Sequence, residues 1–380
     1  MDISGQLTKV EDVHSIGPEE TFVLNLGPQH PATHGVLRIK LRMDGEFIKD
    51  AVIVAGYVHR EHEKMGENRK WEQFLPNTGR IDYLSAMMYT HGYVGAVERA
   101  LGIEVPERAE YVRVITSELN RIASHLVWWG AYLLDLGGMT PLLYAFDDRE
   151  KILDILEALT GARLTYCYYR IGGLYEDVDD NFVAATRAFV KEFRPRLKMF
   201  RRLVSENIIF RKRVEGIGII DAEMCRRYGA TGPMIRGAGV PYDVRRAEPY
   251  SVYSELDFDI PTDPAADSMA RYKVRMEEME QSLRIIEQAL DRLPDGPVRA
   301  KTPRSIKPPE GDYCFATEAA RGRFMVRITS TGKDVPHRVR LRTPCFGNLS
   351  LFEEAAEGMM LADGIAMMGS LDLVIPDIDR

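Results

Sequence analysis

The stretch AEYVRVITSELNRIASHLVWWGAYLLDL, residues 109–136, decides the fold. Val112, Ile115, Leu119, Ile122, Leu126 and Leu133 recur at helical spacing and mark one face of a single long helix. Trp128 and Trp129 widen the apolar surface, which predicts a helix buried on most sides. Near its end stands Asp135, followed by Leu136-Gly137-Gly138. A carboxylate is unfavourable at a helix C-terminus and costly to bury unpaired. Asp135 therefore requires a partner, and a loop histidine would serve.

A buried helix needs others around it. Apolar periodicity predicts helices near 149–160 (Ile152, Ile155, Leu156), near 181–209 after Asp179-Asp180, and near 266–293. The last carries Met269, Tyr272, Met276, Met279, Leu283, Ile286 and Leu290 on one stripe, with Gly296-Pro297 just past its end. Strand signals sit at the two ends. Residues 21–26 (TFVLNL) read as a strand. Val36, Leu37, Ile39 and Leu41 lead to an Asp44-Gly45 turn, and Phe47, Ile48, Val52, Ile53 and Val54 return. A second hairpin runs through Phe324, Val326 and Ile328, turns at Thr331-Gly332 and returns through Val339 and Leu341. The expected class is α+β, a central long-helix bundle flanked by small antiparallel N-terminal and C-terminal sheets. The expected organisation is an extended arm over 1–20, a β-hairpin region with a site loop over 21–60, a helical bundle over 61–310, and a C-terminal β hairpin and tail over 311–380.

The chain has 380 residues, 45% of them hydrophobic and 28% charged, as in a soluble protein with a large core. Its net charge of -7 argues against nucleic acid as a partner. Cys167, Cys225, Cys314 and Cys345 are scattered without a CxxC pair, so neither zinc nor a self-contained iron–sulfur site is signalled. A reduced, cytoplasmic setting fits. No signal peptide is legible, nor an apolar run of about 18 residues. Any membrane link is therefore expected through partner proteins. There is no P-loop, GxGxxG, HExxH or GxSxG pattern, hence no recognisable nicotinamide or flavin motif.

Polar chemistry concentrates in residues 24–35, LNLGPQHPATHG. Gly27-Pro28 and Pro31 exclude a helix, so His30 and His34 stand on a rigid loop entering a strand. Imidazole and phenol can both donate protons to a reduced substrate. On the residues alone His30 and His34 are equal candidates, and a structural role is the commoner one for a loop histidine. In Gly79-Arg80-Ile81-Asp82-Tyr83-Leu84, Asp82 reads as a first-turn carboxylate and Tyr83 as core. His125 reads as a satisfied core residue and Trp128-Trp129 as packing. The run His59-Arg60-Glu61-His62-Glu63-Lys64 is so densely charged that a solvated or interface helix start fits better than a metal site. Met359, Met360, Met367 and Met368 suggest adaptable packing or partner contact.

Several ordered motifs then carry a resemblance. Gly27-Pro28-Gln29-His30-Pro31-Ala32-Thr33-His34-Gly35 resembles the signature of the D (49-kilodalton) subunit family of NADH–quinone oxidoreductase, respiratory complex I. Gly56-Tyr57-Val58-His59-Arg60, Arg80-Ile81-Asp82-Tyr83 and Glu118-Leu119-Asn120-Arg121-Ile122-Ala123-Ser124-His125 resemble further segments of that family. So do Arg170-Ile171-Gly172-Gly173 and Gly369-Ser370-Leu371-Asp372 with Asp377-Ile378-Asp379-Arg380. The family is related to nickel–iron hydrogenase large subunits, which implies that fold. Hydrogenases hold nickel by two cysteine pairs, since soft thiolates suit the metal. Aligned on Arg80 and Asp372, those four positions here are Asp82, Ser85, Val374 and Asp377, so no metal is expected.

The resemblance implies a quinone headgroup where the metal would be. His34 and Tyr83 would hydrogen-bond its two oxygens, and Asp135 would pair with His34, making these the catalytic set. His30 is left as a structural residue of the loop. No cofactor is expected on this chain alone; electrons would come from a 4Fe-4S cluster in the partner B subunit. Arg60, His125 and Thr165 are expected near that cluster. Many family members carry a titrating histidine at the Thr165 position, and many carry Asp where Gly79 stands, a loss expected to loosen the pocket wall. Expected partners are the B, C, I and H subunits and, indirectly, the membrane arm, with the chain peripheral on the cytoplasmic side of a prokaryotic plasma membrane. The expected function is quinone reduction in a proton-pumping NADH–quinone oxidoreductase. The alternative is the same role in a related complex fed by ferredoxin or a deazaflavin donor.

Overall fold

The computed structural model describes residues 21–30 and 33–380; the expected arm over 1–20 lies outside the described residues. Strands β1 (Thr21–Leu26), β2 (Arg38–Asp44) and β3 (Phe47–Val54) form an antiparallel sheet in that order, with a register shift at Arg42/Met43. Ile39, Leu41 and Met43 alternate inward from β2 onto Ile48 and Ala51 of β3, the pattern of a sheet with one covered face. Short helices α1 (His62–Glu67) and α2 (Leu75–Thr78) lead into α3 (Ala86–Leu101), which ends at Gly102 in a left-handed cap.

The predicted central helix is α4 (Glu107–Asp135), and it is buried almost all round. Its neighbour α5 (Met139–Thr160) begins well before the expected start near 149. The first turns of α5 point Met139 and Leu143 outward, 65% and 60% exposed, so apolar periodicity measured against a core misses them. Pro141 is tolerated because it stands in the first turn. A minimal ladder of β4 (Tyr169–Arg170) and β5 (Gly173–Leu174) precedes α6 (Asp180–Phe200). The Asp179 carboxylate caps α6 by accepting from the Phe182 amide. The expected continuous helix to 209 is broken: a π-helical turn over Arg201–Ser205 follows, and Asn207 caps a separate α7 (Ile208–Val214).

Three short helices, α8 (Ala222–Tyr228), α9 (Pro233–Arg236) and α10 (Val244–Ala247), precede the long α11 (Ser268–Asp291), which packs on α4. The C-terminal sheet has three strands rather than a hairpin alone, β6 (Gly311–Ala319), β7 (Gly322–Ser330) and β8 (Arg338–Arg342). The β6–β7 register pairs Ala319 with Gly322, leaving Ala320-Arg321 as a two-residue tip. The chain finishes with α12 (Pro344–Ala355), α13 (Leu361–Leu371) and α14 (Ile375–Asp379). Together these elements make the expected α+β architecture of helices between small antiparallel sheets.

The β6–β7 tip is held by a close backbone approach. A Cβ on Gly232 would fall 2.4 Å from Gly322 Cα, and Gly232 has φ 69°. Both facts demand glycine. We expect Gly232→Ala to lower stability by about 2 kcal/mol, as strain and displacement of a packed turn do. Denaturant unfolding of the variant beside the native chain measures it.

Candidate functional site

The loop after β1 is fixed by its neighbours rather than by a helix or strand of its own. Thr33 is buried, and its hydroxyl lies 2.7 Å from the His30 carbonyl and 2.8 Å from that of Gly35. His34 takes the left-handed conformation, φ 51°, and Gly35 follows at φ 147°. A Cβ on Gly35 would sit 2.6 Å from Ile375 Cγ1, so the loop lies directly against the start of α14. Left-handed backbone at a histidine is uncommon and turns its ring away from the run of the chain. The ring meets the end of α4: His34 Nε2 is 2.5 Å from Asp135 Oδ2, across 101 residues of sequence. The side chains are 17% and 7% exposed. Asp135 thus has the partner that its position at a helix C-terminus requires. His30 is exposed and contributes its carbonyl to the Thr33 brace.

Tyr83 lies in the turn ahead of α3. Asp82 Oδ1 accepts from the Leu84 and Ser85 amides at 3.0 and 3.2 Å, which closes that turn. Asp82 Oδ2 faces Arg321 Nη1 at 3.0 Å. The same nitrogen is 3.2 Å from Ser85 Oγ and 3.0 Å from Ser124 Oγ, and Nη2 is 2.9 Å from Asp372 Oδ1. Of the four positions that the resemblance aligns with metal-binding cysteines, Asp82 and Ser85 share this guanidinium. Val374 is buried in the core. Asp377 accepts from the Tyr89 hydroxyl at 2.5 Å and from the Cys345 amide at 3.0 Å. Burial, then the nearby Asp82 charge, push the Asp377 carboxyl up to about 7. The Arg321 guanidinium lies between the Asp82 and Asp372 carboxylates, and none of the four positions carries a thiol. Tyr83 is half-buried; burial raises its phenol, Arg321 pulls it back, and Asp82 and Asp372 push it up.

One stretch of chain connects the two halves. A Cβ on Gly369 would lie 3.4 Å from Asp135 Oδ2, Asp372 binds Arg321, and Ile375 touches Gly35. Residues 369–377 are therefore a shared wall for the His34–Asp135 pair and the Asp82–Ser85 turn.

The residues expected near a partner's cluster have different surroundings. Arg60 is exposed and donates from Nη2 to the Arg80 carbonyl at 2.9 Å. Thr165 is half-buried in the loop after α5. Its neighbour Tyr166 brings a carbonyl to within 3.4 Å of where a Gly79 Cβ would be, and the Ala86 Cβ is at 3.2 Å. A small residue at 79 therefore permits close packing. His125 is fully buried, its Nε2 2.9 Å from Glu278 Oε2, within a network that continues to Arg236. Trp128 and Trp129 pack on Tyr132 and Phe200, as expected of core aromatics.

The profile of the family described as "Respiratory-chain NADH dehydrogenase, 49 Kd subunit" matches residues 135–310 and 302–380, more than half of the chain. The D 2 subunit of the NADH-quinone oxidoreductase of Opitutus terrae is 72% identical over 364 residues, covering 96% of this chain and 91% of the relative. This chain belongs to the 49-kilodalton subunit family of respiratory-chain NADH dehydrogenase. The corresponding D-type chain of Desulfotalea psychrophila is 63% identical over 96% of this chain and 98% of its own length. That of Geobacillus thermodenitrificans is 49% identical over 95% and 99%. The 49-kilodalton family has the nickel–iron hydrogenase large-subunit-like fold, and its members are oxidoreductase subunits of complex I. As a 49-kilodalton subunit the chain works beside other subunits of a membrane-associated enzyme. No helix among the described residues is long and apolar enough to cross a membrane.

Sequence reasoning missed Arg321, Tyr89 and the structural use of Asp372. A charged residue in a two-residue hairpin tip ordinarily faces water; only the apolar strands on both sides hinted that this tip is covered. It also left His62 open. His62 is buried, and neither ring nitrogen has a hydrogen-bond partner among the described residues. Burial, with Arg60, His59 and Arg80 nearby, lowers its pKa to about 4. The unfolded imidazole titrates near ~6.5, so below that pH the unfolded state takes up a proton the native state refuses. Native stability should fall as pH drops from about 6.5 towards about 4. Unfolding midpoints across that range should fall less steeply for His62→Phe than for the native chain.

Proposed function

We propose that this chain, with the B subunit of its complex, forms the site at which quinone is reduced by electrons from an iron–sulfur cluster. His34 and Tyr83 donate hydrogen bonds to the two quinone oxygens, and Asp135 holds and charge-balances His34. The observation that carries this reading is the 2.5 Å His34–Asp135 contact at a helix end, one chain segment away from the turn bearing Tyr83. Two electrons and two protons convert a quinone to a quinol. The electrons come from the 4Fe-4S cluster of the B subunit. Fixed donors stabilise negative charge as it develops on the quinone oxygens, and each can then pass its proton.

When His34 gives up a proton, the charge of the His34–Asp135 pair changes by one unit. A local charge change of this kind can bias a two-state element. In this reading that change is the start of coupling to proton pumping in the membrane arm. The C, I and H subunits complete the surroundings, and the chain is peripheral on the cytoplasmic face. Exposed Arg60 belongs to the interface with the B subunit, where its charge favours added electrons. His125 and Thr165 complete the cluster's surroundings in the same reading. The buried His125 acts there only through space.

In the assembled complex, Tyr83→Phe and His34→Ala should each lower quinone reduction about a hundredfold. Electron delivery to a water-soluble acceptor upstream of the quinone should be unchanged. Asp135→Asn should impair quinone reduction and proton pumping together; both remaining intact would overturn the assignment. Thr165 cannot titrate, so the partner's cluster should show a potential independent of pH and lower than that of relatives with histidine there. A redox titration with a slope approaching ~59 mV per pH unit would count against this.

A further inference from the structure

Tyr83 is flanked by Asp82 and, two residues on, by Ser85, and both flanking side chains end on one guanidinium. Arg321 Nη1 lies 3.0 Å from Asp82 Oδ2 and 3.2 Å from Ser85 Oγ. Ser124 on α4 and Asp372 after α13 hold the same group at 3.0 and 2.9 Å. Arg321 is fully buried at the β6–β7 tip, and the strand pairing on either side fixes where it points. Among the charges that act on the Tyr83 phenol, Arg321 acts most strongly and is the one that favours the ionised form; Asp82 and Asp372 act the other way. A cation fixed at four anchors cannot relax towards or away from its neighbour. It is already in place when charge appears.

We propose that Arg321 is the positioning residue of Tyr83: its guanidinium holds the Asp82–Ser85 turn that aims the phenol, and it stabilises the negative charge left on the phenol oxygen when the proton goes to quinone. This rests on Tyr83 being a quinone donor. In that step the phenol O–H bond breaks, the electron pair stays on the tyrosine oxygen, and the proton joins a quinone oxygen that has received electrons from the partner's cluster. A solvent-derived proton later restores the phenol. Arg321 neither gives nor takes the proton. Without a cation fixed there, the phenol is a weaker acid and transfers its proton more slowly.

The test uses the assembled complex in native membranes. Arg321→Lys keeps a charge but loses the planar fork that spans several acceptors. The paired variant Arg321→Gln with Asp372→Asn removes a buried cation and a buried anion together, so the net buried charge is unchanged and Asp82 keeps the Leu84 and Ser85 amides. In both, kcat for quinone should fall about tenfold with KM within about twofold of native, the signature of an interaction made in the transition state. Genetic replacement of Tyr83 by 3,5-difluorotyrosine, a more acidic phenol, should restore most of the lost kcat in both backgrounds. A structural role for Arg321 does not predict that rescue. Unchanged turnover, a rise in KM alone, or a kcat loss that the fluorinated phenol does not restore overturns the inference. Tyr83→Phe separates the two levels. If it leaves quinone turnover intact, the donor role of Tyr83 fails; if it removes turnover and rescue is absent, only the role of Arg321 fails.

Discussion

Charge neutralisation along α4 is the constraint on which the rest of the structure depends. Arg113, Glu118, Arg121 and His125 all lie on this helix and all are buried. None can stay ionised inside a core without a partner, and α4 cannot supply enough of them itself. Arg113 takes Glu98 of α3 at 2.7 Å and the carbonyl of Gly173 at 3.0 Å. Arg121 takes the carbonyls of Glu318 and Ala319 at the end of β6, at 2.6 and 3.1 Å. Glu118 receives Arg245, Tyr253 and Ser282 at 3.0, 2.7 and 2.6 Å. Despite burial, Arg121 and then Arg245, with the Ser282 and Tyr253 hydroxyls, bring its carboxyl down to about 2. Each such pairing pins another element to α4 at a defined depth. Removing one member of a buried pair costs about 3–5 kcal/mol, so the helix and its partners are strongly coupled.

The site inherits its geometry from that frame. Asp135 is placed by the end of α4, and Ser124, on the same helix, helps hold Arg321. The C-terminal stretch 369–377 then closes over both, touching Asp135 through Gly369 and the His34 loop through Ile375. Strained backbone at His34 persists because the surroundings over-determine it: the Thr33 hydroxyl, the Gly35–Ile375 contact and the Asp135 carboxylate act together. Chemistry at one end of the chain is thus set by residues at the other.

Apolar patterning made the central helix, the two sheets and the α+β class legible, because burying an amphipathic face leaves a periodic trace. The carboxylate at the end of α4 also announced a need for a partner, and the loop histidine supplied it. What patterning hides is equally physical. Helix α5 starts early with exposed methionine and leucine, and a π-helical turn splits α6 from α7 where periodicity runs on. Buried arginines read as solvent-facing on any hydropathy scale, so Arg236, Arg245, Arg271, Arg275 and Arg321 were invisible until their partners from distant parts of the chain were in place. Tyr83 read as core from the residues alone, and only its ordered motif suggested otherwise. At Gly79 the sequence did not reveal how closely Ala86 and the Tyr166 carbonyl approach.

The hairpin that carries Arg321 has a two-residue tip between paired strands. In such a hairpin, side chains alternate between faces, and a shift of one position sends every one of them to the opposite side. An insertion or deletion of a single residue in β6 or β7 near the tip would therefore eject the guanidinium into solvent and leave two carboxylates stranded inside. Most surface turns tolerate changes in length. This one behaves instead like a ruler: the pairing of Glu318 with Arg323 and of Ala319 with Gly322 measures out where Arg321 stands.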